Sequence, residues 1–370
     1  MTTSTTAAPS SAPAMPAEVV THTPVQDVTL PGGAGTLALL TLENGHDHTR
    51  PTTFGPQGIA ELAATVGRLR ERAEAGEIQA VAVTGKPFVF AVGADLSGIP
   101  YVVERRQATE FARAGHAAFA AIMDLPVPTF AFVNGAAMGG GVELALACDH
   151  RSISAGVAAF ALPETFLGLL PGWGGCYLLP NLIGPANALK VIVENPLSQN
   201  RMLTAKEVAA LGIADVLLDP ADFLEDSLRW AAGVLSGTTS RQRPEVDRDA
   251  GVWDSACDAG RKVVLAKSAG RATGALRAVE LVRAAQTATR EEAFTAEDEA
   301  LGDLTMSDEL RAGLYAFDLV QKRAKRPAGA PDSSLARPVT KVGIVGAGLM
   351  ASQLALLFAR RLGVPVVMTD

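Results

Sequence analysis

The residues best suited to chemistry form a run of three glycines followed by a glutamate, within residues 130–149. Gly139, Gly140 and Gly141 come after an apolar segment, and Glu143 follows Gly140 by three positions. Glycine allows close backbone approach to a ligand, because it has no Cβ atom. If a helix begins here, its first amides lack carbonyl partners and lie at the positive end of the helix dipole. Such amides stabilise a developing negative charge, and Glu143 on the same side of the first turn is a candidate acid or base.

A second pair of positions extends this arrangement. Gly93 and Ala94 are small residues in an irregular segment, so the Ala94 amide is a candidate second donor to the same anion. Glu164 follows Pro163, and a helix and a return strand separate it from Glu143. Two carboxyl groups in an apolar pocket acquire different pKa values through burial and mutual repulsion, and the pair can hold one proton. The sequence therefore predicts acid and base catalysis beside an anion-stabilising site.

Each of these features also has a structural interpretation. The glycine run could serve close packing of a helix on a strand, with Glu143 matching the helix dipole. The segment around Ala94 could be a plain turn. Residues 167–175 form another glycine-rich stretch, which could lie over a bound ligand. The residues by themselves leave both interpretations open.

One loop, at residues 44–51, contains side chains that metal sites use. His46, Asp47 and His48 supply two imidazoles and a carboxylate, but no further ligands follow at a spacing typical of zinc sites. We therefore predict a solvated loop and no metal.

The elements that must position the candidate residues alternate along the first half of the chain. Besides the apolar run before the glycines, the predicted strands are residues 37–43, 78–84, 150–154 and 213–218. The predicted helices are residues 58–75, 111–123 and 205–211. Strand, helix and strand in succession indicate a parallel sheet with crossover helices. From residue 255 to 325 the apolar pattern is helical, with no strand signal.

Composition narrows the class of protein. A chain of 370 residues with 48% hydrophobic residues is long enough for about two domains. The net charge of -7, without a long basic run, argues against nucleic acid or an anionic membrane surface as a partner. The longest apolar stretch is rich in glycine and interrupted by Asn134, so no membrane span is predicted. Three cysteines without a close pair suit a reducing compartment, and we expect the cytoplasm.

The end of the chain matches a dinucleotide-binding fingerprint. Gly346, Gly348 and Ala351 follow a predicted strand and precede a helix, and Asp370 ends the next strand at a spacing suited to a ribose hydroxyl. Two strands and one helix cannot cover a parallel sheet. We therefore expect this incomplete Rossmann βαβ unit to be poorly packed and unable to carry out hydride transfer.

Three motifs in order resemble the crotonase (enoyl-CoA hydratase/isomerase) superfamily, at residues 90–95, 133–149 and 160–175. The similarity covers residues 28–326. Residues 341–370 resemble the start of the 3-hydroxyacyl-CoA dehydrogenase domain that follows the hydratase in multifunctional fatty-acid β-oxidation proteins. The resemblance implies an α/β fold with a ββα spiral core and C-terminal helices, and it implies hydration of trans-2-enoyl-CoA.

The resemblance also assigns roles to residues of this chain. The amides of Ala94 and Gly140 are expected to hold the thioester oxygen, Glu143 to take a proton from water aimed at C3, and Glu164 to deliver a proton to C2. The neighbours expected to contact substrate are Gly93, Asp95, Leu96, Gly139, Pro163 and Gly172. Residues 44–54 resemble the variant found in multifunctional proteins, which leaves acyl chain length open.

These inferences divide the chain into five expected segments. They are a disordered tail at residues 1–24, a crotonase-like hydratase core at 25–254, a helical region at 255–325, a linker at 326–340 and a truncated NAD-binding segment at 341–370.

Hydration needs no cofactor, and NAD is expected only with the rest of the last domain. Acyl-CoA is the expected substrate, a homo-oligomer is expected, and a thiolase subunit is an additional candidate partner. Isomerisation of 3-enoyl-CoA by Glu164 alone, NAD-dependent dehydrogenation and acyl-CoA binding without catalysis stay open as alternatives.

Overall fold

The computed structural model describes residues 16–240, 243, 245–320 and 329–369. It contains two compact units, Met1–Tyr315 and Ala316–Asp370. In the first unit, Thr21 and Thr23 are buried, and the backbone of His22 pairs with that of Glu43. Ordered structure therefore begins before residue 25, where we expected the tail to end, because these threonines pack on the core.

Short strands and helices alternate through the first unit. Its strands are β1 (Val25–Thr29), β2 (Thr36–Leu42), β3 (Ala80–Gly85), β4 (Val89–Ala91), β5 (Thr129–Val133), β6 (Ala136–Met138), β7 (His150–Ser154), β8 (Phe160–Ala161) and β9 (Val216–Leu218). The helices up to residue 318 are α1 (Pro56–Glu74), α2 (Arg105–Met123), α3 (Gly140–Ala147), α4 (Glu164–Leu167), α5 (Gly175–Ile183), α6 (Pro185–Leu189), α7 (Ala205–Ala210), α8 (Phe223–Leu235), α9 (Ala250–Ser268), α10 (Thr273–Ala284), α11 (Arg290–Thr305) and α12 (Asp308–Asp318).

Two sheets arise from repetition of a strand, strand and helix unit. The larger sheet has the order β1-β2-β3-β5-β7-β9, and all its neighbours are parallel except β1 and β2. The smaller sheet has the order β4-β6-β8 and is parallel throughout. The successive repeats β3-β4-α2, β5-β6-α3 and β7-β8-α4 each add one strand to both sheets. The α/β fold with a ββα core is therefore confirmed.

The larger sheet is covered on both faces, which explains its continuous apolar strands. Side chains alternate along each strand. In β5, Phe130 and Phe132 pack with α8, whereas Ala131 and Val133 belong to the larger core formed with α1 and α2. Helix α8 was absent from our sequence-based elements, although it covers one face of the sheet.

Most element boundaries lie within two residues of those predicted, and three elements begin at least three residues away from the predicted position. Helix α2 begins at Arg105 rather than at residue 111, because Glu104 and Gln107 form a capping box ahead of a polar first turn. The last strand of the larger sheet, β9, begins at Val216 rather than at residue 213. The helical region begins at Ala250 rather than at residue 255, since the Asp249 side chain caps that helix by accepting from the Val252 amide.

The second unit contains a parallel strand pair joined by a helix. Strand β10 (Val342–Val345), helix α13 (Leu349–Leu362) and strand β11 (Val366–Thr369) follow a 3-10 turn at Ser333–Leu335. No residue described between 329 and 369 is buried, which confirms the predicted poor packing. The linker residues 326–328 lie outside the described residues. Over the ranges that the structure covers, no helix is both long enough and apolar enough to cross a membrane.

Candidate active site

Three loops meet where the strands of the smaller sheet end. Ala94 follows β4, Gly140 follows β6 and Glu164 follows β8. Because these strands are parallel neighbours, their carboxyl ends lie at the same edge of the sheet. A Cβ atom at Gly93 would lie 3.1 Å from the Gly140 nitrogen, and one at Gly139 would lie 2.6 Å from Glu164 Oε1. The fold therefore brings together residues that are separated by about seventy positions in sequence.

The Ala94 amide is oriented by a neighbouring segment. Phe54 N–H donates to the Gly93 carbonyl at 2.8 Å, and Asp95 N–H donates to the Phe54 carbonyl at 2.9 Å. This parallel bridge uses groups on either side of Ala94, so the N–H of Ala94 itself points away from Phe54. Within the described part of the chain, neither the Ala94 nor the Gly140 amide donates a hydrogen bond. Both amides are therefore available to a ligand.

Packing requires the absence of a side chain at Gly140. A Cβ atom there would lie 2.4 Å from the ring of Trp173, which is buried and makes edge contacts with Phe54, Phe111 and Phe119. Close packing and an open amide are thus properties of one glycine, so the structural and functional interpretations of the glycine run are compatible.

The Glu143 carboxyl lies in the first turn of α3 and is only 2% exposed. Its Oε1 accepts hydrogen bonds from the Trp173 amide at 2.7 Å and the Gly175 amide at 2.8 Å. Burial, followed by the charge of Glu297, raises the pKa of Glu143 to about 7, although these two bonds act in the opposite direction. Residues 169–176 are buried, and the amides of this stretch hold Glu143, which is a contact with the candidate site that we did not predict.

Glu164 is the first residue of α4, and its Oε2 is buried without a hydrogen-bond partner among the described residues. Burial, and next the charge of Glu143, raises the pKa of Glu164 well above its usual value. The pair therefore combines Glu143, which titrates near neutral pH, with Glu164, whose raised pKa favours the protonated form, as acid and base work requires.

The other predicted substrate contacts occupy different environments. Asp95 Oδ1 accepts from the Ser97 amide at 2.9 Å and caps the 3-10 helix Leu96–Tyr101, in which Leu96 is half-buried. Pro163 is half-buried and immediately precedes α4. Gly172 is buried against α11, where a Cβ atom would lie 1.9 Å from a methyl carbon of Leu301. Gly172 therefore packs directly on α11.

The structure also reveals charged residues that the sequence reading missed. His116 on α2 contacts Glu297 and Asp298 on α11, and all three side chains are buried. Burial lowers the pKa of His116, but its bonds to Asp298 and Glu297 outweigh this effect and raise the pKa to about 9. The sequence feature that could have revealed this group is His116 itself, a titratable residue on the apolar face of α2 close to the buried Phe119.

The candidate cofactor residues lie between β10 and α13. Gly346 has φ 102°, Gly348 precedes the first helical residue, and a Cβ atom at either would meet nothing within 4 Å. Ala351 lies in the first turn of the helix. This open turn fits the phosphate-binding half of a dinucleotide site, whereas Asp370 lies outside the described residues. In the described ranges, no group of three His, Cys, Asp or Glu residues is arranged to hold a metal ion.

Comparisons with known proteins identify relatives of this chain. The chain is 29% identical over 345 residues to the fatty acid oxidation complex subunit alpha of Shewanella loihica, covering 90% of this chain and 46% of that protein. It is 32% identical over 306 residues to the subunit of the same name from Idiomarina loihiensis, and this match covers 80% of this chain and 41% of that protein. The chain thus spans less than half the length of these curated relatives.

A solved structure supports the fold. Human mitochondrial delta3-delta2-enoyl-CoA isomerase superposes with a TM-score of 0.56 at 19% identity, covering 82% of this chain and 99% of that one. The family model described as enoyl-CoA hydratase/isomerase matches residues 35–243, which is more than half of the chain. The chain therefore belongs to the enoyl-CoA hydratase/isomerase family.

Proposed function

We propose that this chain is an enoyl-CoA hydratase, which adds water across the C2=C3 bond of a trans-2-enoyl-CoA in fatty-acid β-oxidation. The observation that carries the proposal is the placement of two buried carboxyl groups, Glu143 and Glu164, beside two amides without internal acceptors. The names of the relatives from Shewanella loihica and Idiomarina loihiensis support fatty acid oxidation as the context.

The reaction begins with the thioester oxygen accepting hydrogen bonds from Ala94 and Gly140. Ionised Glu143 removes a proton from water while the water oxygen bonds to C3. The electrons of the C2=C3 bond move to an enolate whose oxygen the two amides stabilise, an interaction worth about 3 kcal/mol per donor. Protonated Glu164 then delivers its proton to C2, which gives 3-hydroxyacyl-CoA. The pKa of Glu143 near 7 supports its role as a base, and the raised pKa of Glu164, which favours the protonated form, supports its role as the proton donor.

Isomerisation is the principal alternative. A single carboxylate at Glu164 could move a proton between C4 and C2 of a 3-enoyl-CoA, and the family includes both activities. The buried Glu143 beside the same amides favours hydration, because isomerisation leaves this second group without a role.

The further assignments rest on the same family membership. The chain is proposed to act in the cytoplasm as a homo-oligomer on acyl-CoA, with a thiolase subunit as a candidate partner. The open turn at Gly346 and Gly348 is proposed to hold the pyrophosphate of NAD, which would supply the hydride acceptor in a complete dehydrogenase.

The decisive assay follows the enoyl-thioester absorbance of crotonyl-CoA. The wild-type chain is expected to consume it, and Glu143→Gln and Glu164→Gln are each expected to abolish turnover while binding of the CoA ester persists. Turnover that persists in both variants would remove the two-carboxylate mechanism. Binding without turnover by the wild type would instead indicate an acyl-CoA-binding protein, and NADH formed from 3-hydroxyacyl-CoA would indicate a dehydrogenase.

A further inference from the structure

A buried charge cluster, defined as His116, Glu297 and Asp298, contacts the loop that holds Glu143. The His116 ring lies between two carboxylates, with Nδ1 at 2.7 Å from Asp298 Oδ1 and Nε2 at 3.1 Å from Glu297 Oε2. Ionised carboxylates only accept hydrogen bonds, so with both acids ionised the ring donates from both nitrogens and is an imidazolium, in agreement with the raised pKa of His116. The Phe294 ring stacks on it at 4.3 Å and closes the cluster on one side.

Glu297 is bonded to the same loop as Glu143. Glu297 Oε2 accepts from the Gly174 amide at 2.7 Å, while Glu143 Oε1 accepts from the amides of Trp173 and Gly175, on either side of Gly174. Three successive N–H groups are therefore divided between two buried carboxylates. The peptide unit that carries the Gly174 amide shares a Cα atom with each of the units that carry the Trp173 and Gly175 amides, so the anchor on Gly174 restrains both donors to Glu143.

We propose that Glu297 is a positioning residue for Glu143: held by His116, it anchors the Gly174 amide and thereby keeps the Trp173 and Gly175 amides on Glu143 Oε1. This inference rests on the proposed hydratase function. One oxygen of Glu143 is then fixed by the loop, which leaves the other to bind and deprotonate the attacking water. Such positioning matters because a displacement of about 1 Å can reduce turnover on the order of a hundredfold.

The charges around the cluster determine the expected pH effect. Glu297 faces His116 on α2, Glu143 on α3 and Cys176 on α5, and it also interacts with Glu164 on α4. Asp298 faces His116, and the Arg113 guanidinium lies 3.6 Å from its Oδ2. The negative charge of Glu297 raises the pKa of Glu143, and His116 lowers it. The charge of Glu297 affects this pKa more than either hydrogen bond from the loop does. Neutralising Glu297 while Asp298 keeps His116 charged should therefore lower the pKa of Glu143 even when one of those bonds weakens.

The test compares Glu297→Gln with Glu299→Gln in the full chain. Glu299 is a neighbour on α11 that pairs with Arg105 and Arg113 at the surface, and its side chain makes no hydrogen bond to the described residues of the loop. Glutamine can still accept from the Gly174 amide, but it loses the charge-assisted bond to His116 that holds the carboxylate in place. We therefore expect Glu297→Gln to lower kcat for crotonyl-CoA about ten- to a hundredfold with little change in KM. In the dependence of its kcat on pH, the rise on the acid side should move to lower pH. Glu299→Gln should keep the wild-type kcat and profile.

A second readout makes the inference independent of turnover. The infrared C=O band of protonated Glu143, assigned by its loss in Glu143→Gln, should titrate at lower pH in Glu297→Gln than in the wild type. An unchanged titration together with wild-type kcat would overturn the inference. A wild type that does not hydrate crotonyl-CoA overturns the proposed function alone, and the infrared titration then decides the role of Glu297.

If Glu297→Gln does not fold, as judged by circular dichroism, Glu297→Asp takes its place. Aspartate keeps the charge but is one methylene shorter, which withdraws its carboxylate from the Gly174 amide. The expected result is a similar loss of kcat without movement of the rise on the acid side. Wild-type kcat in this variant would contradict the inference.

Discussion

Glu143 and Glu297 lie on different helices, α3 and α11, yet they accept hydrogen bonds from adjacent amides of one loop. Both carboxyl groups are buried, and the charge of Glu297 raises the pKa of Glu143. Two hydrogen bonds from amides normally lower the pKa of a carboxyl group. The raised pKa of Glu143 therefore reflects burial and a like-charged neighbour that together outweigh those bonds.

The rate of hydration should depend on pH in a bell-shaped manner. Glu143 must be ionised to act as a base, so kcat/KM for crotonyl-CoA should rise with pH through about 7. It should fall at higher pH as Glu164, whose pKa is raised well above its usual value, loses the proton that it delivers. Steady-state rates from about pH 5 to about pH 10 test this expectation. A rate that is already constant at about pH 5 would contradict a raised pKa for Glu143.

The substitution Gly140→Ala should reduce both stability and turnover. Its Cβ atom would meet the Trp173 ring at 2.4 Å, and overpacking of this kind costs about 1 to 3 kcal/mol. Relief of the clash displaces the Gly140 amide, so kcat should fall as well. Denaturant unfolding and crotonyl-CoA turnover measure the two effects.

The matched control is Gly67→Ala in helix α1. Gly67 is exposed, and a Cβ atom there would meet nothing within 4 Å. This substitution should stabilise the chain by about 0.4 to 1 kcal/mol and leave turnover unchanged. Equal unfolding free energies for the two variants would argue against the packing of Trp173 on Gly140.

The variant Glu143→Gln should separate hydration from isomerisation. Glutamine has the size of glutamate, and its oxygen can still accept from the Trp173 and Gly175 amides, so the loop should stay in place. Hydration should fall about a hundred- to ten-thousandfold, because the base is lost. Any conversion of 3-enoyl-CoA to 2-enoyl-CoA in the wild type should persist, since it needs only Glu164. Parallel loss of both activities would show that the two carboxyl groups act together in each reaction.

His116 should make the stability of the chain dependent on pH. Its pKa is raised in the folded protein to about 9, above the ordinary 6.5, so the folded state binds the proton more tightly than the unfolded state. This contribution to the free energy of unfolding is fully present below about pH 6.5 and is lost as pH rises through about 9.

The variant His116→Gln provides the comparison. It removes the imidazolium between the buried carboxylates of Glu297 and Asp298, so it should be destabilised by about 3 to 5 kcal/mol at about pH 6. The difference from the wild type should shrink toward about pH 10, which denaturant unfolding at both values can measure. A difference that is the same at both values would exclude a charged His116 in the folded protein.

The sequence by itself determined the parts of the site that depend on neighbours along the chain. The glycine run predicted a helix start with free amides, and the spacing of Glu143 from Gly140 placed a carboxyl group in the first turn. The alternation of apolar segments predicted the parallel sheet. These features depend on backbone geometry over a few consecutive residues, so a local sequence pattern is enough to predict them.

Only the tertiary structure decided how the site is held. His116 and Glu297 are 181 positions apart, and each reads locally as one polar residue in an amphipathic helix. Their contact depends on the packing of α11 against α2, and Glu297 on α11 also accepts from the Gly174 amide of the loop that holds Glu143. Burial and distance between charges set the pKa values of the two glutamates, and both quantities exist only once the helices have packed.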